Sequence, residues 1–293
     1  MKKVKNSFAF RSGGIYRFLV KLFPPPYFRF RPKAPILFLS MCGYKHLDLL
    51  QQSLQSLHQS WTVIPKLQIY SDGTVKVNEI ERMLLWWKGE KKISSWETCF
   101  LPTSGLDSKI LLEFARSNPV GRKLAVILHH GRNEPTLWCD TDILWFSQLP
   151  CLQDLLQLES DLVLKTSSDY QSAYGSFVDT LPHLNQYPYI NTGIVYLNGD
   201  LLNKLDLDNL LKKASNFSDH FTEQAILAEA VFQVGLPCWS IDEIFCGAND
   251  NQTLAITYES KPWIARHYTG LVRHLFWRDT LALKLGIKRE KND

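Results

Sequence analysis

The sequence lacks an N-terminal apolar run long enough to mark a membrane-spanning or exported segment. Within the first 33 residues no apolar run is longer than three residues, and the run from Phe18 to Val20 ends at Lys21. A spanning helix needs about 20 apolar residues, and a signal peptide needs an uninterrupted apolar core of about 7–15 residues before its cleavage site. We therefore expect neither feature in this region.

Cysteine pairs of the C-x-x-C type are missing as well. The chain has six cysteines, most of them in apolar or strand-like stretches: Cys42, Cys99, Cys139, Cys151, Cys238 and Cys246. Isolated thiols in such surroundings are typical of reduced core cysteines, whereas exported proteins favour disulfides. Together with the missing export signal, this pattern predicts a cytoplasmic protein.

Acidic residues are missing before Asp48. Residues 1–33 carry nine Lys and Arg, whereas the 293-residue chain as a whole has 33 basic and 29 acidic residues and a formal net charge of +4. The remainder therefore has 24 basic and 29 acidic residues, a net charge of −5. This predicts a slightly acidic domain with a basic arm, and no nucleic-acid partner. We divide the chain into an arm (1–34), one domain (35–280) and a tail (281–293).

The basic arm mixes its cations with aromatic and aliphatic side chains, in the stretch RSGGIYRFLVKLFPPPYFRFRPKAP. This composition suits an anionic membrane surface, where each cation contributes about 1 kcal/mol. Such binding would place the protein peripherally at the inner face of a membrane. The alternative is a solvated leader that lies across the domain. Pro24, Pro25 and Pro26 end any helix in the arm.

Strand and helix patterns alternate along the rest of the chain. Ile36 to Cys42 is a nearly continuous apolar run, typical of a strand buried on both faces, and leucines at helical spacing follow it. Further strands are predicted at 66–70, around 96–100, and at 136–139, 162–165 and 193–197. Further helices are predicted at 201–214 and 221–232, with two more between 107 and 130 that break at Asn118-Pro119. The pattern predicts one α/β domain with a mostly parallel central sheet flanked by helices.

Two acids, Asp140 and Asp142, interrupt the strongly apolar stretch from Leu137 to Phe146. Burying two unpaired carboxylates costs several kcal/mol, so they need a cation or an open strand end. The carboxyl ends of strands in open α/β sheets bind ligands, and hard oxygen donors suit Mg²⁺ or Mn²⁺. We therefore predict a metal site rather than a turn with two solvated acids.

Three motifs carry a resemblance to a known family. Asp140-Thr141-Asp142 resembles the DxD signature of GT-A-fold nucleotide-sugar glycosyltransferases. Residues 190–198, INTGIVYLN, resemble the N-x-G strand of the family 8 (glycogenin and galactosyltransferase-like) branch, and residues 267–273, HYTGLVR, resemble its H-x-x-G-x-x-K element. The order and spacing of the motifs agree with that branch over residues 35–278.

The resemblance implies a donor site built around a divalent ion. Asp140, Asp142 and His267 would bind Mn²⁺, or Mg²⁺, which would offset the charge of the donor diphosphate. Arg273 stands where the branch usually has Lys and would contact the same phosphates. Gly270 would permit close backbone approach.

Further site residues are implied by position. Lys123, with Arg122 as its rival, resembles a basic residue that meets the donor phosphates, although a solvated helix charge is an equal alternative. Asp72 resembles the acid that meets the donor base or ribose, although Asp-Gly turn chemistry would also explain it.

Three more residues are implied near the transferred sugar. Asn191 would project its amide toward that sugar while Gly193 leaves room for it, although an asparagine that only holds the turn is the alternative. Glu223-Gln224 resembles the acid-Gln pair that opens a family helix near the reacting sugar, although Glu223 also suits a first helical turn.

The resulting hypothesis is an enzyme. It would transfer a hexosyl unit from a nucleotide-diphosphate sugar, with a UDP-sugar expected, to a hydroxyl acceptor on a glycan, a lipid-linked carrier or a protein. The branch implies retention of anomeric configuration. The alternatives are a non-catalytic nucleotide-sugar-binding or scaffold protein and a DxD aspartyl phosphatase. Leu144 and the mid-chain position of the motif argue against the phosphatase.

Overall fold

The computed structural model describes residues 2–102, 106–150, 152–186, 188–214, 216–217, 219, 221–247, 263–270 and 272–287. Its strands are β1 (Lys33–Cys42), β2 (Ile64–Ser71), β3 (Lys91–Ser95), β4 (Thr136–Cys139), β5 (Ile143–Trp145), β6 (Leu162–Asp169), β7 (Tyr189–Gly199), β8 (Ile244–Cys246) and β9 (Ala265–His267). Its helices are α1 (Lys2–Lys21), α2 (Leu47–Ser60), α3 (Val77–Met83), α4 (Lys109–Ser117), α5 (Pro119–Gly131), α6 (Leu152–Gln157), α7 (Leu201–Lys204), α8 (Leu207–Ala214), α9 (Thr222–Val234) and α10 (Arg273–Lys284).

Six strands form the central sheet, in the order β3-β2-β1-β4-β7-β6. The pairs β1–β2, β2–β3 and β1–β4 are parallel, whereas β7 runs antiparallel to both of its neighbours. The apolar run of β1 lies at the centre of this sheet and is buried on both faces, as its sequence predicts. The prediction of an α/β fold with a mostly parallel sheet is confirmed.

The core lies on both faces of the central sheet because successive strand residues point to opposite sides. Leu39, Trp138 and Val195 contribute to one cluster, which includes α5 and α9. Phe38, Leu137 and Ile194 contribute to the other, which includes α2. Because β1, β2 and β4 run parallel, their carboxyl ends lie at one edge of the sheet.

A second, smaller sheet has the order β5-β9-β8. Strand β5 directly follows the DxD segment, and Ile143 pairs with His267 of β9 in antiparallel register. This pairing brings a residue from near the C-terminus beside two acids in the middle of the chain.

One predicted strand is wrong. Residues Trp96–Phe100 form a 3₁₀ turn, and the strand that pairs with β2 is Lys91–Ser95 instead. Trp96 and Cys99 are both buried, so the apolar period here is three residues, which matches a 3₁₀ turn and not a strand. The Oγ1 of Thr98 donates to the carbonyl of Ser95 at 2.7 Å and closes this turn.

The predicted helix 201–214 is divided into α7 and α8. Leu205 is extended, with φ −122° and ψ 149°, and ends α7. The side chain of Asp206 then accepts a hydrogen bond from the backbone of Asn209 at 3.2 Å, as a residue that caps the new helix does. The break between α4 and α5 lies at Asn118-Pro119, as predicted.

The arm forms α1 and packs against α10. Val20 is buried in a cluster with Tyr268, Phe276 and other residues around α10. Helix α1 ends at Lys21, before the three prolines, and α10 runs across the predicted boundary at residue 280. Among the described residues, no helix has the length and apolar character needed to cross a membrane.

Candidate active site

The two acids of the DxD segment lie at the carboxyl end of β4. The backbone N–H of Asp140 donates to the carbonyl of Gly193 at 2.8 Å, which holds the segment against β7. The indole N–H of Trp138 donates to Oδ1 of Asp140 at 2.9 Å. Asp142 is 4% exposed, so its carboxylate faces the interior rather than bulk solvent.

His267 meets both acids, as the sequence predicts. Its Nε2 lies 3.3 Å from Oδ1 of Asp142 and 3.7 Å from Oδ2 of Asp140. One donor atom from each of the three residues falls within 4.8 Å of the other two. Two carboxylate oxygens and one imidazole nitrogen suit Mn²⁺ or another divalent transition metal, so the residues fit the implied ion.

The charges of Asp142 and His267 shift each other's pKa. Burial alone would lower the pKa of His267, but the carboxylate of Asp142 raises it well above its ordinary range. Burial alone would raise the pKa of Asp142, but His267 and then Arg273 lower it well below the usual range. A positive charge is therefore strongly favoured at this position, as a proton here or as a bound cation.

Asn191 fixes the orientation of His267. The Oδ1 of Asn191 accepts from the backbone N–H of Gly193 at 2.9 Å and lies 2.9 Å from Nδ1 of His267. Because Oδ1 can only accept, Nδ1 carries a proton and Nε2 faces the acids. The amide nitrogen of Asn191 donates to Oδ2 of Asp169 at 2.8 Å. Both ends of this buried amide therefore contact protein groups.

Gly193 and Gly270 differ in what surrounds them. A Cβ at position 193 would lie 2.4 Å from Nδ1 of His267, so glycine is needed there for the imidazole to pack. The space beside Gly193 is thus occupied by His267. A Cβ at position 270 would meet nothing within 4 Å, so no described protein contact requires glycine at that position.

Arg273, at the start of α10, forms an ion pair with a predicted metal ligand. Its Nη2 and Nε lie 2.6 and 3.0 Å from Oδ2 of Asp142. The side chain is 41% exposed, compared with 5% for that of Asp142. The arginine therefore covers the site from the solvent side.

Lys123 is buried and is not the solvated helix charge of the alternative interpretation. Its Nζ lies 3.2 Å from Oδ1 of Asp140 and 3.5 Å from Oε2 of Glu223, and it donates to the carbonyl of Thr192 at 2.9 Å. Burial opposes its charge, but the two carboxylates raise its pKa above the ordinary value. Its rival Arg122 points elsewhere, with Nη1 2.6 Å from the carbonyl of Asp72.

Glu223 and Gln224 begin α9 and reach the same buried region. Burial raises the pKa of Glu223 to about 7, although Lys123 opposes this. Its Oε1 has no hydrogen-bond partner among the described residues. The side-chain oxygen of Gln224 accepts from the backbone of Thr192 at 3.3 Å, and its nitrogen donates to the carbonyl of Ala173 at 2.7 Å.

Asp72 follows β2 at the same edge of the sheet. Its Oδ1 accepts from the N–H and the Oγ1 of Thr74 at 2.8 and 2.7 Å, which is the turn chemistry of the alternative interpretation. A Cβ at Gly43, after β1, would lie 2.3 Å from Oδ2 of Asp72. The turn places a carboxylate beside the ends of β1 and β2.

Sequence reasoning missed three residues at the site. Thr192 contacts Lys123 and Gln224, and its position inside the N-x-G segment was a usable signal. Asp169 ends β6 and supports Asn191, and a lone acid ending a strand at this edge is a weaker signal. His46 lies close enough to Arg273 for that charge to lower its pKa, after the larger effect of burial. No sequence pattern indicates His46.

Comparison with known proteins identifies the fold. No family model matches the chain, and the curated proteins give no match. The bifunctional glycosyltransferase WbbM matches with a TM-score of 0.57 and 12% identity, over 86% of this chain and 50% of WbbM. The galactosyltransferase LgtC, in complex with donor and acceptor sugar analogs, matches with a TM-score of 0.53 and 13% identity, over 87% of this chain and 98% of LgtC. GlyE of Streptococcus pneumoniae TIGR4, a glycosyltransferase, matches with a TM-score of 0.50 and 12% identity, over 90% of this chain and 66% of GlyE.

The chain has the fold of GT-A glycosyltransferases, as the resemblance predicted. It spans about half the length of WbbM, about two thirds of GlyE and nearly all of LgtC. The likeness to LgtC is consistent with the predicted resemblance to family 8. At these identities the likeness establishes the fold alone.

Proposed function

We propose that this protein is a divalent-metal-dependent glycosyltransferase. It transfers a hexosyl unit from a nucleotide-diphosphate sugar, with a UDP-sugar as proposed donor, to a hydroxyl on a glycan, a lipid-linked carrier or a protein. One observation carries the proposal. Asp140, Asp142 and His267 converge at the ligand-binding edge of a GT-A sheet.

Asp140, Asp142 and His267 would hold the ion, and Mn²⁺ suits the imidazole better than Mg²⁺ does. When bound, the ion acts as a Lewis acid that offsets the charge developing on the leaving diphosphate. Asn191 keeps the proton of His267 on Nδ1, so Nε2 faces the ion without a change of tautomer. We therefore assign Asn191 to positioning His267, as residues behind metal ligands commonly do.

The remaining predicted residues would contact different parts of the donor or support the metal ligands. Asp72, beside the ends of β1 and β2, would meet the base or ribose. Gly270 leaves room for the diphosphate, and Arg273 would contact it. Lys123 balances the charge of Asp140 from the buried side of the site. Glu223 and Gln224 would border the transferred sugar.

The reaction needs no further reactant. The acceptor hydroxyl oxygen forms a bond to the anomeric carbon while the bond from that carbon to the diphosphate oxygen breaks. The hydroxyl proton leaves with the nucleotide diphosphate or passes to solvent. Retention of configuration is proposed from the resemblance to family 8.

The test is donor hydrolysis and Mn²⁺-dependent nucleotide binding, measured with a panel of nucleotide sugars. The wild-type protein should hydrolyse one donor slowly in the presence of Mn²⁺. Asp142→Asn should abolish both signals, whereas Asp154→Asn, the same chemical change at an exposed position on α6, should leave them unchanged. Binding without hydrolysis would indicate the non-catalytic nucleotide-sugar-binding alternative. Absence of both would refute the proposal.

A further inference from the structure

Helix α1 presents two apolar faces, of which only one is covered by described residues. Ile15, Phe18 and Leu22 are spaced three and four residues apart and therefore lie on one side of the helix. They are 63%, 64% and 65% exposed. Large apolar side chains exposed singly are ordinary, but a contiguous row on one helix face marks an interaction surface.

The opposite face of α1 anchors the helix to the fold. Val20 is 1% exposed within the cluster around α10. A Cβ at Gly13 would lie 3.1 Å from the Cβ of His274, so the two helices are in close contact. Arg17 reaches Asp48 at 2.5 Å and lies 5.3 Å from the ring of Trp277. The exposed row is therefore held in place without contributing to this packing.

Two more exposed aromatic side chains follow the helix in the arm. Tyr27 and Phe30 are 88% and 81% exposed, on either side of the buried Phe28. Exposed cations flank these apolar groups, among them Arg11 and Arg29. The sequence has no acid before Asp48, which pairs with Arg17 and Lys21, so the remaining exposed cations of the arm give this surface an excess of positive charge.

We propose that Ile15, Phe18, Leu22, Tyr27 and Phe30, with the cations between them, form a docking surface for a bilayer that contains anionic phospholipid. The apolar row would enter the boundary between headgroups and acyl chains while the cations meet the lipid phosphates. Charge complementarity favours this occupant over a neutral protein surface. Because α1 packs on α10, and α10 begins with Arg273 at the candidate active site, docking would hold that site in a fixed orientation to the bilayer. The proposal does not depend on the proposed catalytic activity.

The test is co-sedimentation of the full chain with vesicles of phosphatidylcholine alone and of phosphatidylcholine with phosphatidylglycerol. The wild type should bind only the anionic vesicles. The double variant Phe18→Ser, Leu22→Ser should bind at least about tenfold more weakly, because burial of one such side chain alone accounts for about that factor. The matched control is Phe232→Ser on α9, whose side chain is 65% exposed, and it should bind as the wild type does.

Charge is tested separately. Arg11→Gln with Arg29→Gln should lower binding about fivefold for each cation removed. Binding should also weaken as salt rises from 0.1 to 1 M, because the screening length falls from about 10 to about 3 Å.

Unchanged folding of each variant is checked by circular dichroism and thermal unfolding. No binding by the wild type, or equal binding by the Phe18→Ser, Leu22→Ser variant, would overturn the proposal. A wild-type dimer in light scattering that this variant dissociates, with no vesicle binding, would assign the surface to a second copy of the chain and overturn it as well.

Discussion

The two acids of the DxD segment have contrasting surroundings. Asp140 is paired from the interior by Lys123, whose side chain is 10% exposed and which also contacts Glu223. Asp142 is paired by His267 and, from the solvent side, by Arg273, which is 41% exposed. The cation that pairs with Asp140 alone of the two acids is thus buried, whereas Asp142 has, besides the buried His267, a cation next to solvent.

This contrast separates a structural role from an exchangeable one. Lys123 costs much to remove, because the carboxylate of Glu223, whose side chain is 4% exposed, stays buried without its cation. Arg273, at 41% exposed, can turn toward solvent or toward an incoming phosphate at little cost, because His267 still pairs with Asp142. We therefore expect loss of Lys123 to act mainly on stability and loss of Arg273 to act mainly on ligand binding.

The largest effect should follow Lys123→Met. The variant leaves Asp140 and Glu223 without their shared cation, so the free energy of unfolding should fall by about 3–5 kcal/mol. Denaturant unfolding measures this. The matched control is Lys66→Met, because Lys66 also lies between two carboxylates, at 3.8 Å from Glu90 and 3.8 Å from Glu134, but is 40% exposed. That change should cost about 0–1 kcal/mol. Equal losses for the two variants would refute the contrast.

The second effect concerns the pH dependence of stability. The pKa of Glu223 is about 7 in the folded protein, above the ordinary value of 4.5 for a glutamate, so folding takes up a proton between these values. The stability contributed by Glu223 is fully present below its unfolded pKa and is lost as pH rises through the folded pKa. The full loss amounts to about 3 kcal/mol.

Glu223→Gln isolates this titration because the amide does not ionise. Urea unfolding of the wild type and the variant should give a difference in stability that changes between pH 5 and pH 8, with the wild type losing more as pH rises. A difference independent of pH would show that Glu223 titrates normally.

The third effect should follow Gly193→Ala. The new Cβ would overlap Nδ1 of His267, so the imidazole must leave its hydrogen bond to Asn191. Mn²⁺ affinity should fall about 10–100-fold, as for loss of other groups that orient metal ligands. Gly270→Ala is the matched control, since its Cβ meets nothing, and it should leave Mn²⁺ affinity and stability unchanged. Equal Mn²⁺ titrations of both variants would remove the role assigned to Gly193.

Much of the fold was predictable from local patterns. The apolar run of β1, the break at Asn118-Pro119 and the strand before the DxD segment all follow from neighbouring residues. The turn at Trp96–Phe100 was not, because a short apolar stretch suits a strand and a 3₁₀ turn equally and only pairing with β2 decides between them.

The motif resemblance was enough to predict that Asp140, Asp142 and His267 lie together. The contacts that each site residue makes were not predictable from the sequence. The pairing of Lys123 with Glu223 and the use of the Asn191 amide to hold His267 depend on α5, β7 and α9 packing together, over distances that sequence spacing does not encode. Charge pattern alone favoured a solvated Lys123 as much as a buried one.

The smallest effect on stability should follow Arg273→Gln, and this variant divides the two roles most sharply. Arg273 is 41% exposed and His267 still pairs with Asp142 at 3.3 Å, so the loss of the arginine should cost about 1 kcal/mol in unfolding. Mn²⁺ binding without nucleotide should not weaken, because Oδ2 of Asp142 is released. Binding of a nucleotide diphosphate in the presence of Mn²⁺ should weaken instead, if the arginine turns to the phosphates. Arg273→Lys, which keeps the charge, should retain most of that binding. Equal nucleotide affinity in wild type and Arg273→Gln would show that the arginine serves Asp142 alone, and the two sides of the site would then differ in exposure but not in function.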